Sequence, residues 1–398
     1  MKYIQLAKQF YKDKSEYDSL YQRRFQCEFT VHIPVLIHGN EAFFTYSEEV
    51  IKRMVDIYKA DKHLNKTLML LPEIARNQFI LKSLIDEIKA SNDIEGVHST
   101  RKEIHELLTM EGMAKHGKRA YGLLQKYKML IDGKRIRMES CRDIRSLYDD
   151  LLLYEIMREN PENKPDGMFF RKEPVHIQAA DLKLIHSGVY PEEKIILYME
   201  EALKLINTEE VCRLAALSVF HYLFGYIHPF YDGNGRLNRF ISSYLLSKEL
   251  TYTVGFGLSN VILRERSVYY NAFKITNDKK NRGDLTPFII TFLELILQSI
   301  LEMGTVLADK QKQLVYYDKA IDTLDLDYNL KDMIYMLVQN TLFGETGMSA
   351  EEIAAEMKLS IYSIRNYLKA LDENMLIISK NGRRKIYDIN LNYFYLEQ

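Results

Sequence analysis

Tryptophan is absent from the 398 residues, and cysteine occurs three times, at Cys27, Cys141 and Cys212. Cysteines so few and so far apart build neither a disulfide framework nor a CxxC metal site, and they suit a reducing compartment. Neither sign of charge predominates. Lys and Arg total 54 and Asp and Glu 55, a formal net charge of −1. The chain as a whole is therefore not a polybasic nucleic-acid binder, and only a local patch would serve that role. The opening residues, MKYIQLAKQFYKDK, lack an apolar stretch of signal-peptide length. No run of 18 or more uncharged apolar residues predicts a membrane span. The expectation is a cytoplasmic chain without a membrane partner. What is present is globular: 47% hydrophobic and 27% charged residues, with 28 Tyr and 18 Phe carrying the aromatic load. The length suggests two or three domains.

Residues 29–37 and 42–46 read as two strands around a His38-Gly39-Asn40 turn. Ser47 caps a helix expected over 48–59. Pro72 and Glu73 open a strongly periodic helix that Gly96 stops. Further helices are expected over 107–127 and 141–159. Residues 161–177 read as a hairpin or extended loop. Helices resume over 191–206, 209–226, 236–248, 265–277 and 285–312. The one over 209–226 is apolar on nearly every face, which places it at the centre of a domain. The last 70 residues differ. A helix near 330–337 precedes a Ser349/Glu352 capping box and a second helix, and Ser360 caps a third. Two short strands then flank an Asn381-Gly382 turn. That order is the order of a winged helix-turn-helix.

The chemistry concentrates in His228-Pro229-Phe230-Tyr231-Asp232-Gly233-Asn234-Gly235-Arg236-Leu237-Asn238-Arg239, between two long helices. Gly233 and Gly235 free the backbone for positive φ, so successive amides can form an anion nest. The nest leads into a helix N-terminus, which favours phosphate. Arg236 and Arg239 share one helix face and reach further phosphate oxygens. Asp232 is an oxygen ligand suited to Mg²⁺. His228 is a general-base candidate near neutral pH.

This segment resembles in full the Fic-domain signature HxFx(D/E)GNGRxxR, and the likeness extends over about residues 70–300. The resemblance implies a protein adenylyltransferase that moves AMP from ATP to a Ser, Thr or Tyr hydroxyl of a target protein, itself included. It implies that His228 takes the hydroxyl proton and that Asp232 holds Mg²⁺. Asn234 and Gly235 would lie in the anion hole, with Gly233 also in the nucleotide site and Arg236 and Arg239 on the phosphates. It also implies a target-clamping flap at Phe170, Arg171, Val175, His176 and Ile177, and an adenine pocket near Tyr269, Tyr270 and Asn277. Ser91-Asn92-Asp93-Ile94-Glu95-Gly96 resembles the family's inhibitory motif (S/T)xxxE(G/N). A carboxylate in a last helical turn is locally disfavoured and wants a guanidinium. In the family that partner is the second signature arginine, here Arg239.

The expected architecture is mainly α: a Fic-type helical core with a small β-hairpin flap, plus a C-terminal winged helix-turn-helix. The expected divisions are 1–65, 66–312 with the inhibitory helix at 72–95, and 325–398. Residues 361–385 carry Arg365, Lys369, Lys380, Arg383, Arg384 and Lys385 against Asp372 and Glu373. That balance suits DNA or a protein partner, and pairing of two subunits is a further option. Two other functions stay open: removal of AMP, or transfer of another phosphate-bearing group, at the same site; and a winged-helix DNA-binding regulator that senses ATP.

Overall fold

The computed structural model describes residues 3–109, 127, 129, 130, 133–178, 184–382 and 384–396. The fold is mainly α, with two two-stranded sheets and one three-stranded sheet among the described residues. The chain divides into two compact units. Residues 1–62 group with 85–300, and residues 63–84 group with 301–398. Most of the helix expected over 107–127 lies outside the described residues; its beginning belongs to the helix Arg101–Thr109.

The first unit is built around the helix Arg213–Ile227, in which 13 of 15 residues are buried. Phe220, Tyr222, Leu223 and Phe224 are all fully enclosed. Each such side chain contributes roughly 1.5–3 kcal/mol through burial. The helix Asn234–Glu249 packs beside it, and Asn238 Nδ2 donates to the His221 carbonyl at 2.8 Å. These two helices hold the ends of the loop that carries the signature.

The N-terminal residues are part of this unit rather than the separate segment 1–65 suggested by the sequence. Strands Thr30–Ile37 and Asn40–Thr45 pair antiparallel. Phe43 N donates to Gly283 O at 3.0 Å and Leu285 N donates to Phe43 O at 2.7 Å, which ties the hairpin to the chain 240 residues later. Gly283 is required there: its φ is +79°, and a Cβ would stand 2.4 Å from Glu41 O. Asp13 caps the helix Lys14–Phe25, an element the sequence reading passed over. Arg24 of that helix pairs with buried Asp284 at 3.2 Å.

The longest helix, Thr286–Asp322, is long and apolar enough to cross a membrane by length and composition alone, although Glu294 and Glu302 interrupt its uncharged run. In the first unit its Phe288 and Phe292 stack near His221, with ring centroids 6.1 and 4.3 Å away. The apolar residues thus have a use that needs no lipid.

In the second unit, Asp327 caps the helix Tyr328–Phe343. The Ser349/Glu352 box opens Ala350–Met357, and Ser360 caps Ile361–Ala370. Strand Arg384–Ile389 lies between Met348–Ser349 and Leu376–Asn381, both antiparallel to it. Gly382, at φ +61°, turns the last ribbon.

Candidate active site

The helix expected over 141–159 forms as Cys141–Tyr148 and Tyr154–Glu159 joined through a π-helical turn, Asp149–Leu153. Such turns insert a residue and re-aim the side chains that follow. Leu152 and Ile156 press against Gly233: a Cβ there would lie 2.9 Å from both, at a φ of +77°. Gly233 is thus the left-handed cap from which the helix Asn234–Glu249 starts. Gly235, expected also to take positive φ, is helical instead. Its need is space, since a Cβ would stand 2.0 Å from Glu95 Oε1.

Aromatic packing holds the loop. Phe230 is buried, stacked on Tyr148 at 3.8 Å and edge-on to Phe170 at 5.5 Å. Asn234 spends its side chain on the loop itself: Oδ1 accepts from Phe230 N at 3.0 Å and Nδ2 donates to Phe230 O at 2.8 Å. Its side chain is therefore a clamp, and only its main chain is left for an anion.

His228 ends the central helix in a left-handed conformation, φ 52°. Burial pulls its imidazole down to about 4, with the Arg171 cation and the neighbouring His186 ring adding to the effect and Glu95 and a bond to the Gly225 main chain opposing it. The ring is neutral at pH 7, the form a base requires.

Both signature arginines are buried and paired. Arg239 Nε donates to Ser91 Oγ at 3.0 Å, and Nη2 donates to Ser91 O at 2.8 Å and lies 2.9 Å from Glu95 Oε1. Ser91, Glu95 and Arg239 are thus brought together as expected. The helix Glu73–Ile94 stops one residue before Glu95, and Gly96 takes φ +71°. Arg266 donates to the carbonyls of Asp93 and Ile94, neutralising the negative helix end. Arg236 Nη1 reaches Glu155 Oε1 at 2.6 Å, while its Nε, also buried, has no hydrogen-bond partner among the described residues. A buried guanidinium N–H without an acceptor costs about 1–3 kcal/mol, and a phosphate oxygen would satisfy it.

Other expected site residues fall differently. The hairpin exists as His176–Gln178 paired with Leu184–Ser187. It includes His176 and Ile177, with half-buried Val175 just before it. Phe170 and Arg171 are not flap residues: both are fully buried, one against Phe230 and the other among main-chain carbonyls. Tyr269 is also interior, its hydroxyl 2.7 Å from His221 Nε2, and Asn277 Oδ1 accepts from buried Tyr222. Those bonds commit the Tyr269 hydroxyl and Asn277 Oδ1, two of the groups expected to read adenine. Tyr270, half exposed and within the electrostatic reach of Glu95 and Arg239, stays available.

Two residues, Glu155 and Glu87, escaped the sequence reading, and Arg171 was assigned to the flap. Glu155 and Arg171 carry no local signal, because their partners lie 81 and 57 residues away. Glu87 carries one: it is four residues before Ser91 and eight before Glu95, on one helix face. It accepts from Ser259 N at 2.8 Å and Ser243 Oγ at 3.1 Å, and burial lifts its carboxyl to about 7. Glu87 anchors the helix that delivers Glu95.

Two packed helices joined by a glycine-containing loop, with a neutral imidazole ending the first and two buried arginines on the second, mark the class of the domain. Residues 138–246 match the Fic/DOC family. Over those residues the chain carries a Fic domain. It is 33% identical over 100 residues to the protein adenylyltransferase Fic of Drosophila erecta, covering 24% of this chain and 18% of that protein. The Drosophila melanogaster protein of the same name matches equally, with the same coverage. The matched stretch thus spans less than a fifth of these relatives. A Fic family protein from Desulfovibrio desulfuricans G20 shares the fold, with a TM-score of 0.54 and 18% identity over 87% of this chain and 97% of that one.

Proposed function

We propose that this chain is a self-restrained protein adenylyltransferase that moves AMP from ATP to a hydroxyl side chain of a protein. The observation that carries the reading is the Glu95 carboxylate standing on Gly235, at the N-terminus of Asn234–Glu249, while it pairs with Arg239. A helix N-terminus and a guanidinium together form an anion site, and here a carboxylate of the same chain fills it. A terminal phosphate would need the same place.

In the transfer step the target hydroxyl oxygen attacks the α-phosphorus of ATP. The new P–O bond forms as the bond to the bridging oxygen breaks, and pyrophosphate leaves with the electron pair. The hydroxyl proton goes to the neutral His228 ring. Arg236 and Arg239 neutralise phosphate charge, and the loop amides hold the oxygens in place. Asp232 is half-buried, with Oδ1 accepting from Gly233 N at 2.5 Å. Glu95 and Glu155 are committed to arginines, so Asp232 would hold Mg²⁺ with help from phosphate and water, a donor set that ion accepts. The ion would supply further neutralisation of the phosphates.

Calorimetry with Mg²⁺ and a non-hydrolysable ATP analogue tests the site. Wild type and Glu95→Gly should both release heat on binding, more tightly in the variant. No heat from either would reject the nucleotide site. A second reading, hydrolytic removal of AMP, is favoured by one feature: Glu95 lies close enough to His228 to raise its basicity, a placement that would also orient water. Release of AMP from a modified protein would select it.

For the second unit we propose a winged helix-turn-helix that contacts duplex DNA. Helix Ile361–Ala370 exposes Tyr362, Arg365, Asn366 and Lys369, and the ribbon exposes Lys380, Arg384 and Lys385. Arg383 lies outside the described residues. Exposed Arg and Asn on one helix with lysines on an adjoining ribbon suit base edges and phosphates respectively. Anisotropy with a labelled duplex at several salt concentrations is the check. Binding should weaken with salt, and Lys369→Ala with Lys385→Ala should reduce the slope by about 2. No binding at about 50 mM salt would leave the surface to a protein partner.

A further inference from the structure

His228 sits at φ 52°, where a residue other than glycine loses about 1–2 kcal/mol. Its ring bonds back to the Gly225 carbonyl, and the surrounding structure must hold the rest of the turn. The group that does so is Arg171. Its side chain is fully buried, and every acceptor it uses is a main-chain carbonyl. Nε donates to His228 O at 2.9 Å, Nη1 to Glu173 O at 2.7 Å, and Nη2 to Val189 O at 2.7 Å and Ile227 O at 3.4 Å. The Arg171 amide adds a bond to Pro229 O at 3.1 Å. The carbonyls of 227, 228 and 229 are thus all bound from one residue, at the end of the central helix.

The fit is close on the other side too. A Cβ on Gly188 would stand 2.5 Å from Arg171 Nη2 and 3.2 Å from His228 Cβ. A side chain at 188 would therefore push on the arginine and on the turn together. Burying a cation is costly unless its hydrogen bonds are met. Here they are met by carbonyls at a helix C-terminus, where positive charge is favoured. An apolar residue could fill the space, and its amide would still reach Pro229 O, but its side chain could not bind the carbonyls of 227 and 228.

We propose that Arg171 is a positioning residue for His228: its planar guanidinium fixes the left-handed turn that sets where the imidazole meets the incoming hydroxyl. The inference rests on the transferase reading above. Two physical consequences follow. First, lysine should be a poor substitute, because an ammonium cannot span the same carbonyls in a plane. Secondly, the cation disfavours a second positive charge on the ring. The charged and titratable groups that act on the ring are Arg171 beside it, His186 from the hairpin and Glu95 from the end of Glu73–Ile94. The first two lower its basicity and the third raises it.

The test uses the full chain carrying Glu95→Gly, with Arg171→Lys and Arg171→Met added separately. Misplacing a base by about 1 Å costs on the order of 100-fold. Both variants should lose roughly 10- to 100-fold in kcat, with KM for ATP changed less than about threefold because the phosphate loop is intact. In Arg171→Met the acid limb of kcat should also move to higher pH; in Arg171→Lys, which keeps the charge, it should stay. A role confined to stability would lower the melting temperature and leave kcat per folded molecule and the acid limb unmoved, and that outcome overturns the proposal. If Arg171→Met does not fold, the kcat and KM of Arg171→Lys decide. If Glu95→Gly itself transfers no AMP, the transferase reading fails separately. Arg171 is then judged by NMR titration of the His228 ring, which must shift upward in Arg171→Met.

Discussion

Glu95→Gly is expected to raise AMP transfer on the order of 10- to 100-fold. The figure follows from what the carboxylate does. A hydrogen bond between charged groups is worth about 1.5–3 kcal/mol, and about 1.4 kcal/mol is a tenfold change in an equilibrium. The pair is partly discounted, because the Glu95 side chain is 33% exposed while Arg239 is 2% exposed. That asymmetry suits a reversible restraint, with one partner held rigidly in the interior and the other at the rim. Removing Glu95 does not orphan Arg239, which keeps its two bonds to Ser91. The guanidinium stays in place and gains a free donor for phosphate. Glu95→Gln separates charge from bulk: the amide still stands over Gly235, so it should release less activity than glycine does. Equal activity in wild type and Glu95→Gly, measured with labelled ATP, would reject the restraint.

His228→Ala, in the same background, is expected to lower transfer by about 10²–10⁴, the usual contribution of a positioned base. Nucleotide affinity should stay within a few-fold, since the anion groups all lie in 232–239. The pH profile follows from the lowered basicity of the ring. A histidine held at about 4 is neutral at pH 7 and remains so well below the ordinary histidine value of about 6.5. Loss of the base through protonation should therefore occur as pH falls through about 4, not through 6.5. The same sign governs stability: this group favours the folded state above about pH 6.5, and the contribution is lost as pH falls through the folded value. An acid limb near 6.5 in the Glu95→Gly enzyme would show that the ring is more open to water than its burial implies.

Much of this site was legible before any coordinates. The chemistry of residues 228–239 is local: a histidine, an acid, two glycines and two arginines at helical spacing need only a turn into a helix to converge. Glu95 was legible for a similar reason, since Gly96 marked a helix end and a carboxylate there wants a cation. What the sequence hid is tertiary. Phe170 and Arg171 sit in a stretch with strand-like surroundings, yet they turn inward because Phe230 and three carbonyls need them. Tyr269 looked available for a ligand, but the buried ring of His221 requires a partner and takes its hydroxyl. Glu155 reaches Arg236 through a π turn that periodicity does not reveal. The helix from Glu48 runs to Met69 rather than stopping near residue 59, because no glycine or proline interrupts it. The helix Lys14–Phe25 could have been read from Asp13 and Glu16, a capping pair that the sequence reading missed.

The central claim is that the loop of 228–239 passes the α-phosphate of ATP to a protein hydroxyl through His228, under restraint by Glu95. Its most direct test is transfer of label to protein from ATP labelled at either the α- or the γ-phosphate, with Glu95→Gly and with Glu95→Gly/His228→Ala. Protein-bound label is expected from the α position alone, strong in the first variant and nearly absent in the second. Label retained from the γ position, or none from either with Glu95→Gly, would contradict it.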